Sequence, residues 1–493
     1  MHPVELVVFV GSLLVWLMVL GKAMALFNGD APYRGAWNGM LYLALPGFTV
    51  AFNLEGWADY DYYYNTWGHQ LLSGYLPYTA EFEHPTTHGT EYYAPYYFPP
   101  LFVYLCGLGQ LLPFGPFGIA ILLTAFGYMT ALPLYGIARE LSGSEMVGLC
   151  VAATYLFNPL VLFYTAFQWL NPAPFVFFST LSFYLVVKGR TASAVVSMVF
   201  GVFFKQICLF LSLPLIAYVL KKSYLSSKRT PDRHGTIVIS TLKGLVRHAM
   251  VAVLTAIALS LPYVYDLPHY FYSLFQRLSP LHLNSLSSPP PYDHPLTVVV
   301  PFITVGAPLW LNQLLNALSE TSAGLVGGSV LFFTLMLSET PDQNADHGYW
   351  RTVLYLTLLL FLWVHLFAPR GVYKYYFVGI MPLVSLLSAP SMCKRGSISI
   401  RPSPAMVLGP VTLSLLILLP DRNIYLAFVV VILLLFAAGP RVEHLFDFGP
   451  ASSQSNLLSS RGTGIRPKSD SSPSPPSSSQ WSLSGWPSSH RAS

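Results

Sequence analysis

Residues 146–166 read MVGLCVAATYLFNPLVLFYTA, without one charged side chain. That length and polarity match the ~20 apolar residues an α-helix needs to cross a bilayer. Comparable runs recur at 4–20 and 423–439. Across 493 residues the chain is 54% hydrophobic and only 10% charged, with a mean hydropathy of +0.53. Soluble domains carry about 25% charged residues, so this composition excludes a soluble enzyme. The alternating ~10-residue strands of a membrane barrel are absent, which leaves helices as the spans. The predicted fold is an all-α polytopic membrane protein with 12 or 13 transmembrane helices.

Lys and Arg in short loops mark the cytoplasmic side. The strongest mark is 221–235, KKSYLSSKRTPDRHG, and Lys394, Arg395 and Arg401 form another. Lys22 and Arg34 agree with them, so a first outer loop spans 54–113. Within it, 99–113 is too short and proline-bounded to cross and reads as interfacial or re-entrant. Spans follow at about 117–137, 146–166, 172–187, 193–204, 207–220 and 248–265, then a second outer loop at 266–295. Beyond it, 322–338 and 352–367 span, while 296–318 either spans or lies against the membrane. The multi-span domain covers 1–450. The tail, 451–493, has 17 Ser in 43 residues, a composition that predicts a disordered cytoplasmic segment.

The first outer loop stands apart. Residues 55–100, EGWADYDYYYNTWGHQLLSGYLPYTAEFEHPTTHGTEYYAPYYFPP, contain six Asp or Glu, three His and no Lys or Arg. Asp59 and Asp61 precede a short aromatic helix that Gly74 stops. An Asp there is commonly a helix N-cap. A 3.6-residue period would also align Asp61 with Asn65 and His69, presenting a carboxylate, an amide and an imidazole together. A carboxylate at a semi-dry membrane boundary is basic enough to take a proton from a sugar hydroxyl.

Lys205 in GVFFKQICLF is the second candidate, a lone cation in about 30 apolar residues. A charge at the bilayer centre costs on the order of 3 kcal/mol, which marks it for function, although snorkelling to the interface explains it equally simply. Arg370 and Lys374 form a further outer cation pair, suited to a lipid phosphate or to plain interfacial anchoring. Gln168 and Asn171 sit at a short outer turn and Gln206 follows Lys205; all three can hydrogen-bond a sugar. His282, Asp293 and His294 stand in the second outer loop without metal-binding spacing.

Cys106, Cys150, Cys208 and Cys393 are scattered, so neither a disulfide framework nor a zinc site is expected. Nucleotide-binding and hydrolase motifs are lacking. The net charge of +5 lies in short loops and the tail, so no nucleic-acid partner is expected. The first run begins MHPVEL without a basic leader and reads as a retained helix.

The Asp-Tyr-Asp-Tyr start at 59–62, the Gly-Tyr-Leu-Pro-Tyr ending at 74–78, Tyr97 to Pro100, FNPLVLFYTAFQWLNPAP at 157–174 and FFKQICLFLSLPLI at 203–216 resemble the GT-C glycosyltransferases. The likeness is strongest to dolichyl-phosphate-mannose-dependent mannosyltransferases and covers roughly 36–390. The resemblance implies inverting transfer of a hexose, mannose first, from a polyprenyl phosphate to a lipid-linked or glycan acceptor. In it, Asp61 or Asp59 is the base, Lys205, Arg370 and Lys374 hold the donor phosphate, and Asn65, His69, Gln168, Asn171 and Gln206 line the substrate. It implies no metal and no cofactor beyond the lipid-linked donor. The expected partners are membrane lipid, that donor and an accessory membrane subunit. The expected location is the outer face of a prokaryotic plasma membrane or the lumenal face of the endoplasmic reticulum. Two other classes fit the same residues: a transporter or flippase with a charged pathway, and a non-catalytic subunit of a glycosylation complex.

Overall fold

The computed structural model describes residues 59–75, 98–229, 234–271, 321–339, 347–367 and 374–388, with a few positions between them. The runs at 4–20 and 423–439, Arg370, His282, Asp293, His294 and the Ser-rich tail lie outside the described residues. Within them the chain is a helical bundle. One small antiparallel strand pair, Glu83–Pro85 with Glu91–Tyr93, stands in the first loop.

Among the described residues three helical stretches are long and apolar enough to cross a membrane: Gly115–Ser142, Gln206–Lys228 and Thr241–Val264. A fourth forms if Glu145–Leu156 and Pro159–Phe167, which meet at 47°, count as one span. Six shorter apolar helices complete the bundle. The protein is therefore a polytopic integral membrane protein. Successive helices pair as hairpins: Ala131–Ser142 with Glu145–Leu156, Pro172–Val187 with Thr191–Phe204, Ser212–Arg229 with His234–Ser260, and Ala323–Ser338 with His347–Phe367.

The bend in the 146–166 run has a local cause. Pro159 lacks an amide proton and takes the first helical position, while Asn158 Oδ1 accepts from Leu160 N at 2.9 Å. Asn at the N-cap with Pro next to it starts a new helix in the middle of the apolar run. The new helix soon widens into a π-turn over Leu162–Phe167.

Two predicted boundaries move. The helix predicted over 207–220 continues to Arg229, and the one predicted from 248 begins at His234. Hydropathy marks where a helix leaves the bilayer, whereas Lys, Arg and Ser are acceptable helix residues and let it run on. The predicted interfacial piece is a 12-residue helix, Pro100–Leu111, opened by Pro at its first position. At ~1.5 Å per residue it is too short to cross. It packs against the next helix almost backbone to backbone: a β-carbon on Gly118 would collide with the Gly109 carbonyl.

Candidate functional site

The first-loop helix begins at the acidic pair and runs through Tyr60–Asn65 into Thr66–Leu72. Its first part is a π-turn, and single π-turns concentrate at functional sites because they displace side chains from the α-helical register. Asn65 accepts from Gln110 Nε2 at 2.9 Å, His69 is exposed, and Asp61 is half-buried in the first turn. Asp61 is therefore not the cap residue, and Asp59, in the cap position, makes no side-chain capping bond. The helix stops as predicted: Gly74 takes φ +84°, with Gly74 N bonded to Leu71 O and Tyr75 N to Gln70 O. That pairing is a Schellman motif, which needs a left-handed residue at this position.

Lys205 is the centre of the site. Its backbone is extended, φ −156° and ψ 128°, and separates helix Thr191–Phe204 from the 3-10 helix Gln206–Leu211. Only 3% of the residue is exposed. Its Nζ donates to Asn171 Oδ1 at 2.6 Å. Three rings box the ammonium, with centroids at 3.7 Å for Tyr376, 4.9 Å for Tyr375 and 5.5 Å for Phe98. Ring faces attract a cation, more strongly where water is excluded. Among the described residues Lys205 makes no direct ion pair. Asp59 stands within its electrostatic reach. Burial pushes the Asp59 carboxyl up to about 6, against a smaller downward pull from Lys205.

Asn171 precedes helix Pro172–Val187 but makes no capping bond with its side chain, which accepts from Lys205. The turn before it is strained: Trp169 adopts φ +56°, a conformation that costs a bulky residue roughly 1–3 kcal/mol. Its fully buried indole donates to Ala166 O at 3.1 Å and meets Tyr60 edge-on at 4.7 Å. The first loop therefore touches the 168–171 turn through Tyr60. Gln168, read as a substrate contact at an outer turn, is buried beside Trp169.

The described site residues thus divide. Lys205 and Asn171 are in contact, with Asp59 in reach. Lys374 opens the 3-10 helix Lys374–Ile380, whose next two residues supply the rings over Lys205. Gln206 is half-buried beside Lys205 in sequence. The sequence reading passed over Tyr375, Tyr376, Phe98 and Trp169, although the run Tyr373-Lys-Tyr-Tyr376 carried the signal: aromatics crowding a cation. Buried His365 was also missed. Its Nδ1 is 2.5 Å from Phe361 O, and its ring packs between Phe361 and Phe377. Among the described residues no three His, Cys, Asp or Glu gather to hold a metal.

Comparison with known proteins corrects the expected activity. No curated protein matches the chain. One family model does, and it describes a transamidase subunit, which overturns the reading of this chain as an enzyme that transfers mannose or another hexose from a polyprenyl phosphate. The match gives no support to a sugar donor as partner. Residues 81–275, which include Phe98, Asn171 and Lys205, are similar to the family GPI transamidase subunit PIG-U.

Proposed function

We propose that the chain is a non-catalytic, membrane-embedded subunit of a GPI transamidase, and that the Lys205 cluster shapes the face it offers to that assembly. The family match over 81–275 carries this reading. Transamidation exchanges one amide for another by attack on a carbonyl, which requires a reachable nucleophile. Cys106 and Cys208 fill space instead: both are wholly buried, and Cys208 Sγ lies 3.8 Å from Met198 Sδ. A structural part for Lys205 fits its surroundings. Its bond and its box tie together the loop before Pro100, the 168–171 turn and the start of Lys374–Ile380.

The test uses cells lacking their own copy of this subunit. The full-length protein should co-purify with the other transamidase subunits and restore a GPI-anchored reporter at the surface. Lys205→Met keeps the volume and removes the charge, so it should accumulate normally yet restore the reporter poorly. A wild-type protein that accumulates but neither co-purifies nor restores the reporter overturns the assignment. Full restoration by Lys205→Met overturns the role given to the cluster.

A further inference from the structure

Helices Ser212–Arg229 and His234–Ser260 form an antiparallel hairpin whose register is fixed by one close approach. Gly244 lies on Ser223 so tightly that a β-carbon there would sit 2.5 Å from the Ser223 Oγ. One turn further, His248 Nε2 is 3.0 Å from Thr191 Oγ1, which brings exposed Arg190 to the same level. Lys222 precedes Ser223, and Lys243 and Arg247 flank Gly244; all three are exposed. In antiparallel helices, the residues just before the contact on each chain project to the same side, and Arg247 follows Lys243 by one turn. The three cations therefore share one side of the hairpin. Neither helix contains Asp or Glu. Glu339 lies in electrostatic reach of Lys221, which is left out for that reason.

Beside the cations begins an apolar stripe. Val246, Met250, Leu254 and Ile257 are each at least half exposed. They recur at helical spacing, and Thr241–Val264 buries none of its apolar window inside the bundle. Lys243 and Arg247 thus stand in the first two turns of a span, at headgroup depth, directly above a surface suited to acyl chains. A residue that only sets topology needs to lie on the correct side. It does not need a second helix's cation at its own level or a lipid-facing stripe beneath it.

We propose that this side of the hairpin is a seat for a phospholipid with an anionic headgroup, its phosphate and headgroup charge on Lys222, Lys243 and Arg247 and its chains along Val246, Met250 and Leu254. Basic surfaces between membrane helices attract such lipids, each cation adding roughly five-fold. Purified full-length protein is offered mixed micelles of phosphatidylcholine and phosphatidylserine, and the retained lipids are counted by native mass spectrometry. Wild type should retain phosphatidylserine on the order of a hundred-fold over phosphatidylcholine, and rising salt should erode that preference. Lys222→Gln with Lys243→Gln and Arg247→Gln should bring the ratio near one. The charge-conserving set Lys222→Arg, Lys243→Arg and Arg247→Lys should keep it. Equal retention by wild type, a salt-insensitive preference, or an unchanged ratio in the Gln set overturns the proposal. So does an acidic peptide that binds these cations where phosphatidylserine does not, since the surface would then belong to a protein partner. If the Gln set fails to fold, the wild-type salt series and the charge-conserving set decide alone.

Discussion

Lys188 and Lys205 occupy the same position in two halves of one hairpin. Lys188 ends helix Pro172–Val187, Lys205 ends Thr191–Phe204, and the antiparallel turn sends them to opposite ends of the bundle. A cation suits a helix C-terminus in either case. Lys188 is one-third exposed and pairs with Glu140. Lys205 is shut away from water among three rings and an amide, with its nearest identified carboxylate at a distance. Exposed pairs contribute 0–1 kcal/mol, whereas a buried charge costs several kcal/mol before its partners offset it. The contrast teaches that Lys188 is replaceable and that Lys205 has had its surroundings arranged around it.

The largest expected effect comes from removing a partner from Lys205 while leaving its charge. Asn171→Leu strands a buried ammonium without its hydrogen-bond acceptor. A loss of about 2–3 kcal/mol is expected, read as a lowered unfolding temperature of the detergent-solubilised protein. Adding Lys205→Met should restore part of that loss, because the double variant no longer buries a charge. A double variant worse than the sum of its single changes would break the contrast, since Asn171 would then act without Lys205.

The polytopic architecture was legible because twenty apolar residues in a row have few other destinations. Helix ends were less so, since 221–229 keeps its helical hydrogen bonds after its polarity changes. Lys205 was legible as singular, being one cation in a long apolar stretch. Its surroundings were not: a lysine that holds a phosphate and one boxed by rings look alike in GVFFKQICLF, and the box comes from residues 98, 375 and 376. The first loop misled in a different way. Asp-Tyr-Asp-Tyr-Tyr-Tyr resembles a transferase loop, yet Tyr and Trp collect at any membrane interface for amphipathic reasons. The first turns of the loop's helix, Tyr60–Asn65, are π and not α, a local winding that hydrophobic spacing does not announce.

A second test sharpens the contrast through Asp59. Its carboxyl titrates near 6 in the fold, against 3.8 unperturbed, because burial disfavours the charged form more than Lys205 favours it. The folded state therefore holds the proton more tightly than the unfolded one. This contribution is fully present below about pH 4 and is lost as pH rises through about 6. The full shift corresponds to about 3 kcal/mol, which the half-buried position reduces to on the order of 1–2 kcal/mol. Wild type should lose that much between pH 4 and pH 7 relative to Asp59→Asn, measured by thermal unfolding in one detergent across the range. Parallel pH profiles would mean that Asp59 stays hydrated and that the dry region ends at Lys205.

The smallest effect belongs to the exposed lysine. Lys188→Ala removes one arm of a pair at the bundle surface, where water screens both charges and the pair's gain is offset by the entropy of holding a long side chain in place. Glu140 keeps a second cation, with Arg139 Nη2 at 3.6 Å, so no carboxylate is left alone. A change within about 0.5 kcal/mol is expected, read from the same unfolding curves. If Lys188→Ala instead matched Asn171→Leu, position at a helix end would outweigh exposure to water. The special standing of Lys205 would then rest on its place in the hairpin and not on its cage.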